Sequence, residues 1–458
     1  MNYKSGDTIA AIATPTGSGG IGIVRVSGPE AISIAKKISS AEITPRHALL
    51  TKFKNGDGFT IDQGILLYFQ APHSFTGEDI IELQAHGGSA LLNTLLRTCC
   101  YFGARIANPG EFSLRAFQNN KLDLAQAESL ADLIGASTER AVISAANSLQ
   151  GKFSEKVKEL SAQIMKLRIV VEASLNFPEE EINFLKDLNV SSKLSNLVEK
   201  ADRLKKRARE GKLLRDGLTL VLAGNPNVGK SSLLNALTST DRAIVSNIPG
   251  TTRDTIEEQI QLDGIPINIV DTAGLRKTDS LVELQGIART ISAVSNADLA
   301  LLIYDISILG KLDDLEPDLL LAQFNDLPDP IRKTIIMNKS DLTDFPSGEI
   351  RKNGSSVFVL SAITGEGISE LKDHLKSLLI PESEGRDDSM TARQRHISTL
   401  EDCTNALKSA ASSFDTTGAG ELLAEDLKSC ANSLEEITGG NCSDELLGEI
   451  FSKFCIGK

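Results

Sequence analysis

The sequence predicts a multidomain protein of the α/β and all-α classes. An N-terminal α+β domain comes first, and an all-helical domain follows that is interrupted by an inserted α/β domain. At 458 residues the chain is too long for one ordinary domain. Helical periodicity fills residues 121–216 and returns in residues 382–458, while the segment between them alternates short apolar runs with glycine-rich loops. We therefore expect domains at 1–120, at 121–216 together with 382–458, and at 217–381.

The N-terminal segment, up to about residue 120, has a mixed pattern. TIAAIATP, GIGIVRVSG and QGILLYFQAP are typical of strands, and ALLNTLLRTCCYFG is typical of an amphipathic helix. Gly17, Gly19 and Gly22 satisfy the dinucleotide template G-x-G-x-x-G, but a strand pattern follows where the template requires a helix. We therefore interpret these glycines as part of a hairpin-like turn.

A polar cluster follows in the stretch SFTGEDIIELQAHGG. It contains Glu78, Asp79, Glu82 and His86, with no second histidine at ligand spacing. This pattern favours surface carboxylates with ordinary polar partners over a metal site.

The helical segment repeats apolar side chains at three- and four-residue steps. Helices are predicted in DLAQAESLADLIGAST, SEKVKELSAQIMKLRIVVEASL and VSSKLSNLVEKADRLKKRAREGKLLRDG, with a break at Pro178 before the last. That last helix is basic, with Arg203, Lys205, Lys206, Arg207, Arg209, Lys212 and Arg215. A solvated helix face is the usual meaning of such a run, and a patch for RNA phosphates is the alternative. After the inserted domain, PESEGRDDSM is typical of a linker before the final helices.

The inserted domain begins with an apolar run that leads through a loop into a helical pattern. Gly224, Gly229, Lys230 and Ser231 fill the template G-x-x-x-x-G-K-[ST]. In such a loop the backbone N–H groups cradle phosphate oxygens, the lysine reaches the β- and γ-phosphates, and the serine is a ligand of Mg²⁺. The spacing predicts a phosphate-binding loop.

Two later motifs extend this site. PINIVDTAG places Asp271 and Gly274 at the end of a second strand, where a carboxylate holds the Mg²⁺ shell. After a third strand, TIIM, the motif N-K-x-D is formed by Asn338, Lys339 and Asp341. Asp341 can accept from both N1–H and the exocyclic amine of guanine, a pair that adenine does not offer, so the nucleotide should be GTP.

Two further stretches complete the pattern. Ser361, Ala362 and Ile363 follow the strand VFVL, where a backbone N–H could meet the guanine O6. The stretch Gly250–Asp254 lies where a switch loop must sit to respond to the γ-phosphate. Five motifs in this order predict a P-loop GTPase domain with the Ras-like α/β fold.

One expected residue is missing. Leu275 stands after D-x-x-G, where small GTPases usually place the glutamine that orients water. Asn227 could help to hold a monovalent cation, and Glu283 could orient the water. The alternatives are loop capping for Asn227 and a solvated carboxylate for Glu283.

Composition limits the partners. A net charge of −13 argues against a surface that is basic throughout, so any nucleic-acid contact must use a local patch. No apolar run approaches the length of a membrane span, and MNYKSGDTIA lacks a signal-peptide core. Six cysteines show no zinc-ligand spacing. We expect a cytoplasmic protein without a membrane partner.

Over its full length the chain resembles the bacterial tRNA-modification GTPases of the MnmE (TrmE) family. Four features carry the resemblance: the N-terminal stretch ATPTGSGGIGIVRVSG, the stretch SFTGEDIIELQAHGG, KLDLAQAE, and the terminus Cys455-Ile456-Gly457-Lys458. The resemblance implies an N-terminal folate-binding domain that also forms a homodimer, and a potassium-activated GTPase domain. It also implies a FAD-dependent partner, MnmG, which forms a heterotetramer with members of the family. The FAD binds to MnmG only.

The implied reaction places an aminomethyl or carboxymethylaminomethyl group on the wobble uridine of tRNA, with carbon from 5-formyl- or methylene-tetrahydrofolate. The family's folate contacts match Arg25, Glu82, Lys121 and Lys458. Its magnesium ligands match Ser231 and Thr252, and its potassium ligands match Asn227, Ser246, Ile248 and Thr251. The catalytic residues expected are Glu283, Lys230 and Asn227. The GTP contacts expected are Asn227, Val228, Gly229, Lys230, Ser231, Ser232, Ser246, Asn247, Ile248, Pro249, Gly250, Thr251, Thr252, Asp271, Thr272, Ala273, Gly274, Asn338, Lys339, Asp341, Ser361, Ala362 and Ile363.

Some interpretations stay open. Cys455, beside the implied folate site, could be a nucleophile or an ordinary thiol of the helical domain. A regulatory ribosome-assembly GTPase that binds RNA without modifying it is the alternative function. A membrane-remodelling GTPase would need an apolar insertion element, and none stands out.

Overall fold

A computed structural model describes residues 6–176, 189–238, 258–262, 264–271, 297–309, 315–322, 332–352, 355–379, 389–440 and 442–457. Backbone contacts divide the chain into two compact units. The first unit contains Met1–Ala131, Leu149–Val198 and Asp402–Lys458, and the second contains Asp132–Ser148 and Glu199–Glu401. These units group the segments differently from the domains expected from the sequence, which stay a prediction.

The first unit contains a six-stranded sheet with the order β3-β4-β5-β2-β1-β6. Neighbouring strands are antiparallel except β1 and β6, which are parallel. The strands are β1 Ile9–Ile12, β2 Gly19–Ser27, β3 Leu49–Lys54, β4 Thr60–Phe69, β5 Ile80–Gly87 and β6 Arg105–Ile106. Helices α1 Ala31–Ser39 and α2 Ser89–Tyr101 bury apolar side chains with this sheet in one core.

The glycines of the N-terminal stretch lie in and beside β2. This strand pairs with β1 as a hairpin, so the interpretation as a turn is confirmed and a dinucleotide loop is excluded. A Cβ on Gly22 would lie 2.4 Å from Leu92 Cδ1, so a glycine at this position lets α2 pack directly on the strand.

Helices form the rest of the first unit. They are α3 Glu111–Gln118, α4 Leu124–Gly135, α6 Lys152–Asn176, the first part of α7 Val190–Asp216, most of α11 Gln394–Thr417, α12 Gly420–Thr438 and α13 Asp444–Ser452. Helix α6 packs along α12, and apolar residues of α3, α4 and α13 share a core. No described helix is both long enough and apolar enough to span a bilayer.

The second unit contains a seven-stranded sheet with the order β12-β13-β11-β10-β7-β9-β8. Its five central strands are parallel, and the edge strands β8 and β12 are antiparallel to their neighbours. The strands are β7 Leu218–Gly224, β8 Glu258–Leu262, β9 Ile265–Asp271, β10 Leu299–Asp305, β11 Arg332–Asn338, β12 Gly348–Lys352 and β13 Ser355–Val359. Its described helices include α5 Glu139–Leu149, α8 Lys230–Thr238, α9 Pro317–Ala322 and α10 Ile368–Leu379.

The predicted apolar runs of the inserted segment are confirmed as strands, since β7, β9, β11 and β13 each contain one. Core side chains cover both faces of this sheet, as expected for parallel strands buried on both sides. Several elements were not predicted: α1, β3, β5, α5 and β10. Helix α5 is only 11 residues long and rich in alanine and serine, so few large apolar side chains mark it as a helix in the sequence.

Candidate functional site

The phosphate loop joins β7 to α8 in the second unit. Asn227 and Gly229 have positive φ angles of 64° and 96°, which turn the backbone sharply before the helix begins. A Cβ on Gly224 would lie 2.4 Å from Ile303 O, and one on Gly229 would lie 2.2 Å from Asn338 Nδ2. Side chains at these two positions would therefore disrupt the loop.

Lys230 stands at the start of α8. Its Nζ donates to Gly224 O at 2.7 Å and to Asn225 O at 3.1 Å. Ser231 and Ser232 follow in the first turn, where free backbone N–H groups and the helix dipole favour an anion. The loop thus has the polarity that a triphosphate requires.

Asn338 connects the phosphate loop to the loop that contains Ala362. Its side chain is buried; Nδ2 donates to Val228 O at 2.8 Å and Oδ1 accepts from Ala362 N at 3.0 Å. Of the three backbone N–H groups in the stretch expected to meet the guanine O6, that of Ala362 donates to Asn338. No sequence pattern indicates this connection, because Asn338 and its two partners are far apart along the chain.

Lys339 and Asp341 are fixed by neighbouring side chains. Lys339 Nζ lies 2.6 Å from Asp305 Oδ2. Burial by itself raises the pKa of Asp305, but hydrogen bonds from Lys339 and Ser307 outweigh it, so this carboxyl has a lowered pKa. Asp341 is exposed, and its Oδ1 accepts a hydrogen bond from the buried Ser361 hydroxyl. Its carboxylate is thereby oriented for donors on a base.

A groove of about 740 Å³ lies beside this loop. It is lined by Ser232, Asn235 and Ala236 from α8 and by Ala362, Ile363, Thr364, Gly365, Ile368, Ser369 and Lys372 from the base loop and α10. The groove therefore lies between α8, the base loop and α10.

Of the other predicted nucleotide and cation residues, Asp271 lies at the edge of the described ranges. Strand β9 ends at Asp271, and its register beside β7 places that backbone at the same sheet edge as the phosphate loop. The remaining residues lie outside the described ranges: Ser246, Asn247, Ile248, Pro249, Gly250, Thr251, Thr252, Thr272, Ala273, Gly274, Leu275 and Glu283. Their roles stay predictions.

The first unit holds a second cluster around Arg25 and Glu82. These residues face each other across β2 and β5, and Arg25 Nε and Nη2 lie 3.0 and 2.8 Å from Glu82 Oε1. The guanidinium lies 5.8 Å from the ring centroids of both Phe75 and Phe112. Both cation–π contacts and the ion pair hold this guanidinium in place.

Lys121 lies against the loop between β4 and β5. Its Nζ donates to Pro72 O at 2.9 Å, and its methylenes lie against Gly77. The loop between β4 and β5 contains Pro72, Gly77 and Phe75, so it contacts both Lys121 and Arg25.

The C-terminal segment also reaches this region. Gly457 is buried at φ 96°, and a Cβ there would lie 2.4 Å from Ile12 O. Cys455 O accepts from Gly110 N at 3.4 Å, two residues before Phe112. The Cys455 side chain is exposed, and Lys458 lies outside the described residues.

The polar residues of the N-terminal stretch have ordinary partners, as expected. Glu78 accepts from Arg115 and Ser27, Asp79 accepts from Tyr68, and His86 pairs with Asp62. Within the described part of the chain, no group of three His, Cys, Asp or Glu residues could hold a metal ion.

Sequence reasoning missed a charged network in the first unit. Asp7 and Glu111 each contact Arg105 and Arg115. Burial raises the pKa of both carboxyls, but the hydrogen bonds and charges of the two arginines outweigh it and lower them. Because Asp7 and Arg115 are 108 positions apart, no local pattern could have indicated this network.

Known proteins match the chain along its length. A family profile described as the MnmE helical domain matches residues 124–455, and one described as the GTP-binding protein TrmE N-terminus matches residues 8–121. The tRNA modification GTPase MnmE of Stutzerimonas stutzeri is 49% identical over 458 residues, covering 99% of each chain. The tRNA modification GTPase MnmE of Pseudomonas fluorescens strain Pf-5 is 50% identical over 455 residues, again covering 99% of each chain.

A solved structure of the G domain of the T. maritima FeoB iron transporter is 29% identical. It covers 35% of this chain and 97% of its own, with a TM-score of 0.23. Family membership therefore rests on the full-length relatives and not on this fold match.

Proposed function

This chain belongs to the MnmE family of tRNA modification GTPases, and we accordingly propose that it is a potassium-activated GTPase that modifies the wobble uridine of tRNA at C5. It works in the cytoplasm with a FAD-dependent partner of the MnmG type. One observation carries the proposal: the chain holds a phosphate loop and, separately, the Arg25–Glu82 cluster, in the same unit as a C-terminal segment that packs on Ile12 and Gly110.

The donor set of the phosphate loop fits GTP with Mg²⁺. Mg²⁺ prefers hard oxygen ligands and keeps several waters, and it neutralises charge on the phosphates when bound. The Ser231 hydroxyl at the start of α8 would be one such ligand, and Thr252 would be another. Lys230 approaches the phosphate oxygens from the loop, and Asp341 accepts from the guanine donors.

Potassium activation is supported by the conformation of Asn227. Its left-handed backbone holds it in the loop before Gly229, with its side chain exposed. We propose that its amide oxygen is one potassium ligand, joined by Ser246, Ile248 and Thr251. Such a cation would stand where an arginine finger otherwise neutralises charge, and Glu283 would orient water in place of the glutamine that Leu275 replaces.

The Arg25–Glu82 cluster fits a one-carbon tetrahydrofolate, which would supply the transferred carbon. Arg25 and Lys121 are cations suited to the glutamate tail of a folate, and the Glu82 carboxylate is an acceptor for pterin N–H groups. Lys458 would complete the set, because the preceding Gly457 packs on Ile12.

We propose a homodimer through the N-terminal sheet. Leu50 and Ile65 face each other on β3 and β4 and are both exposed, and Ile21 on β2 is 69% exposed. Apolar side chains on an open sheet face are typical of a protein interface.

The test is reconstitution with an MnmG partner, FAD, GTP, a one-carbon tetrahydrofolate and unmodified tRNA, followed by mass spectrometry of the wobble uridine. Modified uridine should form in potassium, and both modification and GTP turnover should fall in sodium at matched ionic strength. Equal turnover in both salts would refute the cation mechanism. GTP turnover without any modified uridine would instead favour a regulatory RNA-binding GTPase.

A further inference from the structure

The second half of α7, residues 199–216, differs in charge from the rest of the chain. We name it the basic segment. It contains eight lysines and arginines and four acidic residues, whereas the whole chain has a net charge of −13. The segment contains no aromatic residue. A cationic helix in an acidic protein indicates a local contact with a polyanion.

Packing fixes which face of this helix is presented to solvent. Ala201, Leu204 and Ala208 are buried at steps of three and four residues. A Cβ on Gly211 would lie 1.8 Å from Met390 O, so the helix backbone touches the segment before α11 directly. The buried face is therefore held, and the cations on the other face keep a defined orientation.

Three cations on the outer side are exposed: Arg203, Lys206 and Arg209. They follow one another at steps of three residues, which is roughly 4.5 Å of helix rise per step. Arg203 is 3.9 Å from Glu199, and Arg209 is 3.1 Å from Glu401. Lys206 lies between these two arginines in the helix and is exposed.

These weak surface pairs can be exchanged for phosphates at little cost. An exposed ion pair typically contributes little to stability, because water and salt screen it. Arginine also binds a phosphate with two parallel hydrogen bonds, which a single carboxylate contact at 3.9 Å does not use. Replacing Glu199 and Glu401 by phosphate oxygens would thus strengthen the contacts of both arginines.

We propose that the basic segment is a docking surface for the sugar–phosphate backbone of tRNA, contacted through Arg203, Lys206 and Arg209. This inference rests on the proposed tRNA modification. Without aromatic side chains the segment has no platform for base stacking, so it positions tRNA by its backbone and reads no sequence. It extends the binding surface beyond the wobble base, where the reaction takes place.

The test compares two triple variants of the full-length protein with labelled tRNA transcripts. The first is Arg203→Ala, Lys206→Ala and Arg209→Ala. The control, Lys156→Ala, Lys376→Ala and Lys428→Ala, removes the same charge from other helices, where each lysine has a comparable surface pair. Alanine is the strongest helix former, so both variants should fold, and matching melting curves and basal GTP turnover verify this.

Fluorescence anisotropy between 50 and 200 mM salt should separate the two variants. The first should bind tRNA about tenfold or more weakly, and its slope of log affinity against log salt should fall by about 2–3. The loss should be equal for two tRNAs with different anticodons. The control should bind like the parent.

Equal affinity and slope in both variants would overturn the docking surface. The docking surface is also overturned if the first variant keeps tRNA binding and loses only the MnmG-type partner, since the segment would then be a protein interface. If the parent protein modifies no tRNA at all, the proposed function fails instead.

Discussion

The nucleotide site and the Arg25–Glu82 cluster are built in opposite ways. Most described residues of the nucleotide site come from short motifs at the carboxyl ends of parallel strands, and much of their geometry is backbone: Gly224, Gly229 and the start of α8. In the second cluster, two side chains on antiparallel strands meet Phe75 of a loop and Phe112 of α3, which are distant in sequence.

This difference determines how each site can be recognised. A loop that cradles phosphates needs fixed spacing, because consecutive N–H groups must converge on one group of oxygens. A folate site of the proposed kind needs only a few side chains, which any fold can bring together. The first leaves a motif in the sequence, and the second is visible only through a family resemblance or a structure.

The strongest expected effect is in the phosphate loop. Lys230→Ala removes the ammonium that approaches the phosphates and should lower GTP turnover by about 10²–10³-fold. Lys376→Ala, which removes a surface cation 3.5 Å from Asp373, is the control and should leave turnover unchanged. Steady-state phosphate release measures both, and comparable rates for the two variants would contradict the role of Lys230.

Base recognition should respond next. Asp341→Asn replaces one of two acceptors by a donor facing the guanine donors, and should cost about 2–4 kcal/mol of GTP affinity, with a gain for xanthosine nucleotides. Ser361→Ala is the milder companion, since it removes only the hydroxyl that orients Asp341. Unchanged GTP affinity of Asp341→Asn in a titration with labelled nucleotide would refute this assignment.

A change in the C-terminal segment should have a smaller effect, on tetrahydrofolate affinity at the Arg25–Glu82 cluster. Gly457→Ala forces a Cβ to within 2.4 Å of Ile12 O at a positive φ, which costs about 1–2 kcal/mol from the backbone alone and should displace the segment. Tetrahydrofolate affinity should fall about tenfold, while GTP turnover stays the same. Gly448→Ala is the matched control, because a Cβ there has nothing within 4 Å. Equal folate affinity in both variants would show that the C-terminal segment does not contribute to the folate site.

The smallest effect is a difference in pH dependence between the units. In the second unit, burial is the main reason that the pKa of Asp298 is raised, so its ionisation costs stability as pH rises above the usual carboxyl range. The lowered pKa of Asp7 has the opposite sign: its contribution is present at neutral pH and is lost as pH falls through the lowered value.

Melting midpoints from about pH 2 to 8 measure this difference, because the pKa of Asp7 is lowered from 3.8. Asp298→Asn should gain stability over the parent as pH rises, and Asp7→Asn should lose most at neutral pH. If the melting midpoints of the parent and both variants change with pH in the same way, the raised pKa of Asp298 and the lowered pKa of Asp7 are contradicted.

The same contrast explains how much the sequence could predict. The fold class is confirmed, because strands buried on both faces leave continuous apolar runs and long helices repeat apolar side chains at three- and four-residue steps. Helix α5 was not predicted because it is short and has few large apolar side chains, and β5 was not predicted because polar residues interrupt its apolar ones. The link from Asn338 to Val228 and Ala362 depends on tertiary contacts that no local pattern encodes.

The most direct test of two separable sites measures two activities of one variant. Arg25→Ala removes the guanidinium between Glu82, Phe75 and Phe112, far in sequence from the phosphate loop. In the reconstituted reaction with potassium, we expect GTP turnover within about twofold of the parent, which is much less than a tenfold loss. We expect no modified wobble uridine. Modification at the parent's rate would contradict the assignment of Arg25 to the folate site.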